Sequence, residues 1–187
     1  MSPQTHDPHL PAALADRPVD SEHGLPIPFV NSYDDGTHDF RAPNRRRSIQ
    51  CALSRLCGMC GLSLEYDIAF LGGPKAAESR SFTDPPMHVA CAEAALQLCP
   101  HLAAHATPPE QRAATEVEGR RRLRPGVTTA DLFAGDRPSE WVLFLTHNFE
   151  IERATGEGGG LVLVFHPGEA SAERRFRFEA GVMQELS

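Results

Sequence analysis

Two short cysteine motifs could together hold a metal ion. Cys57 and Cys60 form a CxxC pair that Gly61 follows. His88 and Cys91 form an HxxC pair, and 27 residues lie between the two pairs. Thiolate sulfur and imidazole nitrogen are the donors that tetrahedral Zn²⁺ prefers, and two such pairs fill its four positions. The spacing therefore predicts one structural Zn²⁺ bound by Cys57, Cys60, His88 and Cys91, because no position is left open for water.

A helix is predicted on the N-terminal side of the CxxC pair. Asn44 is a suitable N-cap for it, since its side chain can accept a hydrogen bond from the first free backbone amides. Apolar residues then recur at helical spacing, which predicts that one face of the helix is buried. These residues are Ile49, Ala52, Leu53 and Leu56.

The interval between the two motifs predicts a short hairpin and then a second helix. Strand candidates cover residues 62–64 and 68–71, and a polar loop covers residues 75–81. Asp84-Pro85-Pro86 is typical of a helix start. Cys91 would then lie in the first helical turn, where free amides and the helix dipole stabilise a thiolate. A helix, a knuckle, a hairpin and a second helix in this order predict a treble-clef-like zinc core.

The C-terminal part of the chain predicts an antiparallel β-meander. Three β-rich runs lie at residues 141–145, 161–165 and 175–178, and glycine-rich turns separate the first two. The expected fold class is therefore α+β, a treble-clef-like core with a C-terminal meander. The expected regions are a disordered acidic tail at 1–24, a zinc-binding domain at 25–103, and a polar helix plus β-meander at 104–187 that packs on or beside it.

The five cysteines favour metal binding over disulfide bonding. Their number is odd, and the N-terminus shows no secretory signal. We therefore expect Cys51 and Cys99, which the predicted zinc site does not use, to be buried thiols. No apolar run approaches the length of a membrane span, and a cytoplasmic protein is expected.

The charge distribution argues against non-specific nucleic-acid binding. The net charge is −7, and residues 1–40 carry seven acidic residues and one arginine. A binder of that class needs a net cationic face. Two arginine clusters are nevertheless candidate nucleic-acid contacts, although we expect neighbouring acidic residues to pair with them. Their members are Arg45, Arg46, Arg47, Arg120, Arg121 and Arg122.

Six short segments between residues 26 and 103 form a further pattern. They are Pro26-Ile27-Pro28-Phe29, Asp35-Gly36, Asp39-Phe40-Arg41, Leu56-Cys57-Gly58-Met59-Cys60-Gly61, Pro85-Pro86-Met87-His88-Val89-Ala90-Cys91-Ala92 and Cys99-Pro100-His101-Leu102. In these segments residues 26–103, about 40% of the chain, resemble an uncharacterised family of small bacterial and phage proteins. The sequence departs from the family pattern at Phe29 and Tyr33, where similar proteins often carry Trp, and Cys51 is not part of that pattern. The resemblance implies a zinc-binding fold and supplies no activity.

These patterns favour a non-catalytic binding module with a protein partner over an enzyme. A nuclease of the His-Asn-His type would need a general-base histidine between the ligand pairs, and residues 61–87 contain no histidine. Thiol redox chemistry would need a CxxC motif that opens a helix, whereas this motif follows one. The alternative function that stays open is a nucleic-acid-binding zinc-finger protein with a nuclease-like frame and no catalytic histidine.

Overall fold

The computed structural model describes residues 10–40, 43–98, 140–155, 161–179 and 182–187 of the chain. These residues form an α+β structure with an antiparallel β-meander sheet, as the sequence predicts. The helical elements are α1 (Ala12–Ala15), the 3-10 turn η1 (Phe29–Asn31), α2 (Arg45–Ser54), α3 (Pro74–Ser79) and α4 (Val89–Leu98). The strands are β1 (Ile68–Gly72), β2 (Met87–His88), β3 (Glu140–Thr146), β4 (Phe149–Thr155), β5 (Leu161–Pro167), β6 (Ala172–Glu179) and β7 (Val182–Leu186).

Five strands form one sheet in the order β2-β1-β3-β6-β7, and β4 and β5 form a separate hairpin. The pairing of β1 with β3 runs from Ile68 opposite Thr146 to Gly72 opposite Val142. Strands β1 and β2, from the segment that carries the cysteine motifs, therefore share a single sheet with the C-terminal strands β3, β6 and β7. None of the described helices is long and apolar enough to cross a membrane.

The two faces of this sheet carry different cores, because successive side chains of a strand point to opposite faces. On one face, Ala69 and Leu71 pack with helix α4, Leu14 of α1 and the cysteines. On the other face, Ile68 and Phe70 pack with the β4–β5 hairpin. The cysteine cluster thus belongs to the core on the α4 face of the sheet.

Aromatic side chains fill the core on the hairpin face. Phe70 and Phe82 lie with ring centroids 5.2 Å apart, and Phe82 and Phe144 lie 5.9 Å apart. Phe82 also exchanges two backbone hydrogen bonds with Phe165 of β5, at 2.9 and 2.7 Å. These contacts fasten the hairpin to the sheet without any contribution from the cysteine side.

Helix α2 begins as the sequence predicts but buries a different face. The Asn44 side chain accepts hydrogen bonds from the backbone N–H groups of Arg46 and Arg47. The buried residues of the helix are Ser48, Cys51 and Ala52. Leu53, which the predicted stripe includes, is 76% exposed. The helix ends at Ser54, and Arg55 follows in the left-handed conformation, so the predicted stripe does not continue to Leu56.

The prediction of a disordered tail over residues 1–24 is wrong from residue 10 onward. Leu14 is buried against α4, and the Ile27 N–H donates to the Pro18 carbonyl at 2.7 Å. The Asp20 carboxylate is also buried. One buried leucine and one buried carboxylate hold this segment in place, so its sequence shows little apolar periodicity.

All three predicted C-terminal strands extend beyond their expected bounds, and two further strands were not predicted. Strands β3, β5 and β6 contain the predicted runs at 141–145, 161–165 and 175–178. Strands β4 and β7 were missed because most of their residues are exposed, so no sustained apolar alternation marks them. The predicted polar helix at 110–124 lies outside the described residues.

Asp20 is the polar anchor of the N-terminal segment. Its Oδ2 accepts hydrogen bonds from the His23 backbone N–H and from His23 Nδ1, both at 2.7 Å, and its Oδ1 lies 3.2 Å from His38 Nε2. Burial alone would raise the pKa of this carboxyl, but the hydrogen bonds from His23 outweigh it and lower the pKa overall.

The Asp20→Asn variant tests this anchor through its pH dependence. A carboxyl whose pKa is lowered by folding contributes stability above its unfolded pKa and loses it as pH falls through the folded value. We expect the wild type to exceed Asp20→Asn in free energy of unfolding near neutral pH, and this difference to shrink below about pH 4. Urea titrations of both proteins from pH 7 to pH 3 measure it. A pH-independent difference would contradict the role of the carboxylate.

Candidate metal centre

The CxxC motif forms a tight knuckle. The Cys57 N–H donates to the Leu62 carbonyl at 2.8 Å, and the Gly61 N–H donates to the Cys57 carbonyl at 2.9 Å. Gly61 has a φ of +80°, a conformation that residues with a Cβ rarely adopt. Leu56 and Ser63 pair as an isolated bridge on either side of the turn. The strand predicted at 62–64 is therefore only this single bridge.

The HxxC motif spans the junction between β2 and α4. His88 ends β2, α4 begins at Val89, and Cys91 lies in the first turn of that helix. The helix start predicted at Asp84-Pro85-Pro86 is therefore wrong by several residues. Pro86 instead lies just before β2, outside the helix, and its carbonyl accepts a hydrogen bond from the Gly58 N–H at 2.9 Å.

The loop predicted at residues 75–81 is also different in the structure. Residues Pro74–Ser79 form helix α3, with Pro74 in its first turn and Arg80 in the left-handed conformation at its end. Gly72 ends β1, and Gly73 is the N-cap of α3. Proline suits the position after the N-cap because its missing N–H has no partner in the first helical turn.

The four predicted ligands converge. Their donor atoms all lie within 4.8 Å of one another. Cys60 Sγ lies 3.4 Å from His88 Nδ1, and Cys91 Sγ lies 3.9 Å from the same nitrogen. Donor atoms at the corners of an ideal zinc tetrahedron would be about 3.5 to 3.8 Å apart. Cys57, Cys60, His88 and Cys91 are therefore close enough to hold a metal ion.

The His88 ring is oriented for metal binding. Its Nε2 lies 2.9 Å from the Ser63 carbonyl oxygen, which can only accept a hydrogen bond. Nε2 therefore carries the proton, and Nδ1 presents its lone pair to the thiols. A backbone carbonyl on the far nitrogen is the usual partner that fixes the tautomer of a metal-ligating histidine. The Ser63 carbonyl comes from the segment just after the knuckle, so the knuckle itself sets the ring orientation.

The three sulfurs compete for a single negative charge. Hydrogen bonds from the Cys57 and Cys91 thiols lower the pKa of Cys60 to about 2, because they stabilise its thiolate. The hydrogen bond with Cys60 raises the pKa of Cys57, and hydrogen bonds with Cys57 and Cys60 raise the pKa of Cys91; burial raises both further. A divalent cation would supply the charge that lets all three sulfurs ionise together.

The remaining cysteines are not part of this cluster. Cys51 is fully buried in α2, and burial raises the pKa of its thiol to about 12. It is therefore a neutral thiol that packs as a small apolar side chain, as predicted. Cys99 lies outside the described residues.

The first arginine cluster is engaged in contacts within the protein. Arg46 and Arg47 both form ion pairs with Asp34. The Arg47 guanidinium also lies 4.7 Å from the centroid of the Phe29 ring, while Arg45 is exposed. The other candidate contacts lie outside the described residues: Arg120, Arg121 and Arg122.

Ser81, His166 and Glu152 have the residue types of a catalytic Ser-His-Glu triad but not its hydrogen bonds. His166 Nε2 lies 2.9 Å from Glu152 Oε2, and its Nδ1 lies 3.4 Å from Ser81 Oγ. The Ser81 hydroxyl, however, donates to the Ser79 carbonyl at 3.1 Å. His166 Nδ1 is closer to the Arg80 carbonyl, at 3.1 Å, than to Ser81. These contacts connect the end of α3 to the β4–β5 hairpin, and we interpret the cluster as structural.

Sequence reasoning missed the residues that cover the knuckle. The Phe29 N–H donates to the Met59 carbonyl at 2.8 Å, and the Val30 N–H donates to the Gly58 carbonyl at 2.9 Å. Pro26 and Pro28 favour an extended backbone for the residues before them, and residues 29–31 form the η1 turn. The available sequence signal was the pair of prolines. They restrict the backbone conformation but do not show that this segment contacts the knuckle.

Comparison with protein-family models, with curated proteins and with solved structures finds no match for this chain. The family resemblance described above therefore stays a prediction. The function has to be argued from the chemistry of the centre itself.

Gly61→Ala tests the close approach at the knuckle, with Gly36→Ala as its control. Both glycines have a φ of +80°, but a Cβ at Gly61 would lie 2.7 Å from Phe29 Cδ2, whereas a Cβ at Gly36 would meet nothing within 4 Å. We expect Gly36→Ala to lower the free energy of unfolding by about 1 kcal/mol through backbone strain alone. Gly61→Ala should lower it by about 2 to 4 kcal/mol, because overpacking adds to that strain. Equal losses in denaturant titrations would contradict the packing described here.

Proposed function

We propose that this chain is a zinc-stabilised, non-catalytic binding protein in which Cys57, Cys60, His88 and Cys91 hold one Zn²⁺. The observation that carries the proposal is the convergence of these four side chains from two segments 27 residues apart. Three thiolates and one imidazole match the ligand preferences of zinc. Hard cations such as Mg²⁺ and Ca²⁺ prefer oxygen ligands, so this donor set does not suit them.

A structural role for the ion follows from the number and burial of the donors. Four protein ligands complete a tetrahedron and leave no position for water or substrate. Cys57 and Cys91 are 0% and 1% exposed, so solvent reaches the cluster mainly at its edge. A buried, fully coordinated ion stabilises the fold, because ligand sets of this kind do not exist in the unfolded chain.

Exposed apolar side chains near the knuckle support a role in binding another protein. Leu53, Leu62 and Tyr66 are 76%, 56% and 74% exposed. Leu53 is in the last turn of α2, Leu62 directly follows the knuckle, and Tyr66 precedes β1. Tyrosine is enriched at protein interfaces, where large side chains that are exposed in the free protein become buried.

Nucleic-acid binding is the alternative function, and the first arginine cluster gives it little support. Arg46 and Arg47 share Asp34, so part of their charge is already neutralised. Duplex DNA titrated with the zinc-loaded protein distinguishes the two functions. Micromolar binding that weakens steeply with salt, and that is lost when Arg45, Arg46 and Arg47 are replaced by Ala, would favour the alternative.

Cys60→Ser tests the zinc assignment, and Cys51→Ala is the matched control. Both replace a buried cysteine, but only Cys60 is a proposed ligand. We expect elemental analysis to find one zinc per chain in the wild type and in Cys51→Ala, and to find Cys60→Ser depleted of zinc. Loss of the ion should also lower the midpoint of cooperative unfolding, because the free energy of metal binding contributes to folding.

A wild type without zinc would contradict the proposal. Equal zinc content in Cys60→Ser and Cys51→Ala would contradict the assignment of Cys60. A zinc-free protein that still unfolds cooperatively, with the same midpoint as the zinc-loaded protein, would show that the ion is not structural.

A further inference from the structure

Residues 10–40, here called the strap, rest directly on the knuckle. The Phe29 and Val30 N–H groups donate to the Met59 and Gly58 carbonyls, at 2.8 and 2.9 Å. Gly58 and Met59 are the two residues between the cysteines of the CxxC motif. The strap therefore binds the backbone that sets the spacing of two proposed ligands.

The Phe29 ring packs against the knuckle beside these hydrogen bonds. The position that a Cβ of Gly61 would take lies only 2.7 Å from Phe29 Cδ2, so the ring lies directly against the glycine that ends the knuckle. Two arginine side chains approach the same ring, with guanidinium carbons 5.7 Å (Arg17) and 4.7 Å (Arg47) from its centroid. Arg17 of the strap and Arg47 of α2 thereby bring positive charge to the surface of the knuckle.

Arg17 is the less neutralised of these two cations. It is half-buried, and its Nε donates to the Ile27 carbonyl at 2.9 Å. Among the residues that the structure describes, no carboxylate forms an ion pair with it. Burial, and then the positive charge of Arg47, lower the pKa of Arg17, whereas the charge of Cys60 raises it. Arg17 is therefore a cation held against the Phe29 ring that covers the knuckle.

The charge of the proposed centre explains why a cation belongs there. Zn²⁺ with three thiolates and a neutral imidazole has a net charge of −1. A buried net charge is costly unless a counter-charge lies nearby. Arg17 can supply that counter-charge while it remains hydrogen-bonded to the strap through Ile27.

We propose that the strap is the outer clamp of the zinc centre, and that Arg17 is the positioning residue through which docking of the strap and binding of zinc strengthen each other. This inference rests on the proposed zinc site. Coupling between two binding events is reciprocal. A strap that docks less well must weaken zinc binding, and removal of zinc must loosen the strap by the same free energy.

Arg17 variants and hydrogen exchange test both directions of this coupling. Arg17→Met keeps much of the apolar stem and removes the charge, whereas Arg17→Lys keeps the charge. Competition with a chromophoric chelator should show that Arg17→Met lowers zinc affinity by about tenfold, the lower end of the range for residues that support metal ligands. Arg17→Lys should retain most of the wild-type affinity.

Hydrogen exchange of the wild-type protein tests the reverse direction. When a chelator removes zinc, the amides of Phe29 and Val30 should lose protection. The amides of Val142 and Phe144, in the strand β3 that pairs with β1 and β6, should keep most of theirs. Leu163→Val is the stability control, because Leu163 packs in the core on the hairpin face of the sheet. It should lower the free energy of unfolding and leave zinc affinity unchanged.

The outcomes separate this inference from the proposed function. A wild type that binds no zinc contradicts both. A wild type that binds zinc, with Arg17→Met at the same affinity and with Phe29 and Val30 equally protected in the zinc-free protein, overturns the clamp and leaves the zinc site standing. Equal losses of affinity in Arg17→Met and Leu163→Val would also overturn it, because the effect would then be one of global stability.

Discussion

Three sulfur atoms and one imidazole nitrogen lie within 4.8 Å of one another in the interior of this protein. Hydrogen bonds among these thiols lower the pKa of Cys60 and raise the pKa of Cys57 and Cys91. A divalent ion would offset two of the three negative charges that the thiolates carry together. In the proposed zinc-bound protein, this ion joins the knuckle, the end of β2 and the first turn of α4.

The two faces of the five-stranded sheet depend on it to different degrees. On one face, the knuckle binds the N-terminal segment through the Gly58 and Met59 carbonyls, and α4 packs over Leu14 and Leu143. On the other face, Phe82 and Phe165 fasten the β4–β5 hairpin through backbone hydrogen bonds and aromatic packing. Loss of the ion should therefore affect the first face more than the second, because the second contains no proposed ligand.

The ligands of the candidate centre could be predicted from the sequence because each pair of ligands lies within a motif of four residues. Two ligands three residues apart, on each of two segments, define the donor set without knowledge of the tertiary fold. The clamp over the knuckle could not be predicted, because Phe29 and Arg17 act through backbone carbonyls and ring contacts that leave no spacing pattern. The start of α4 was misplaced for a related reason: the Pro86 carbonyl accepts a hydrogen bond from Gly58 across the cluster, a contact between distant residues. Strand β4 was missed because most of its side chains are exposed and only Phe149 and Ile151 alternate with polar residues before the pattern breaks at Arg153.

X-ray absorption at the zinc edge of the purified, zinc-loaded protein tests the central claim most directly. The account predicts a four-coordinate ion with three sulfur neighbours at about 2.3 Å and one nitrogen neighbour at about 2.0 to 2.1 Å. A shell with four sulfurs would mean that Cys51 or Cys99 replaces His88. A shell with two sulfurs and added oxygen would mean an open site that admits water. Either result would contradict a closed structural centre formed by Cys57, Cys60, His88 and Cys91.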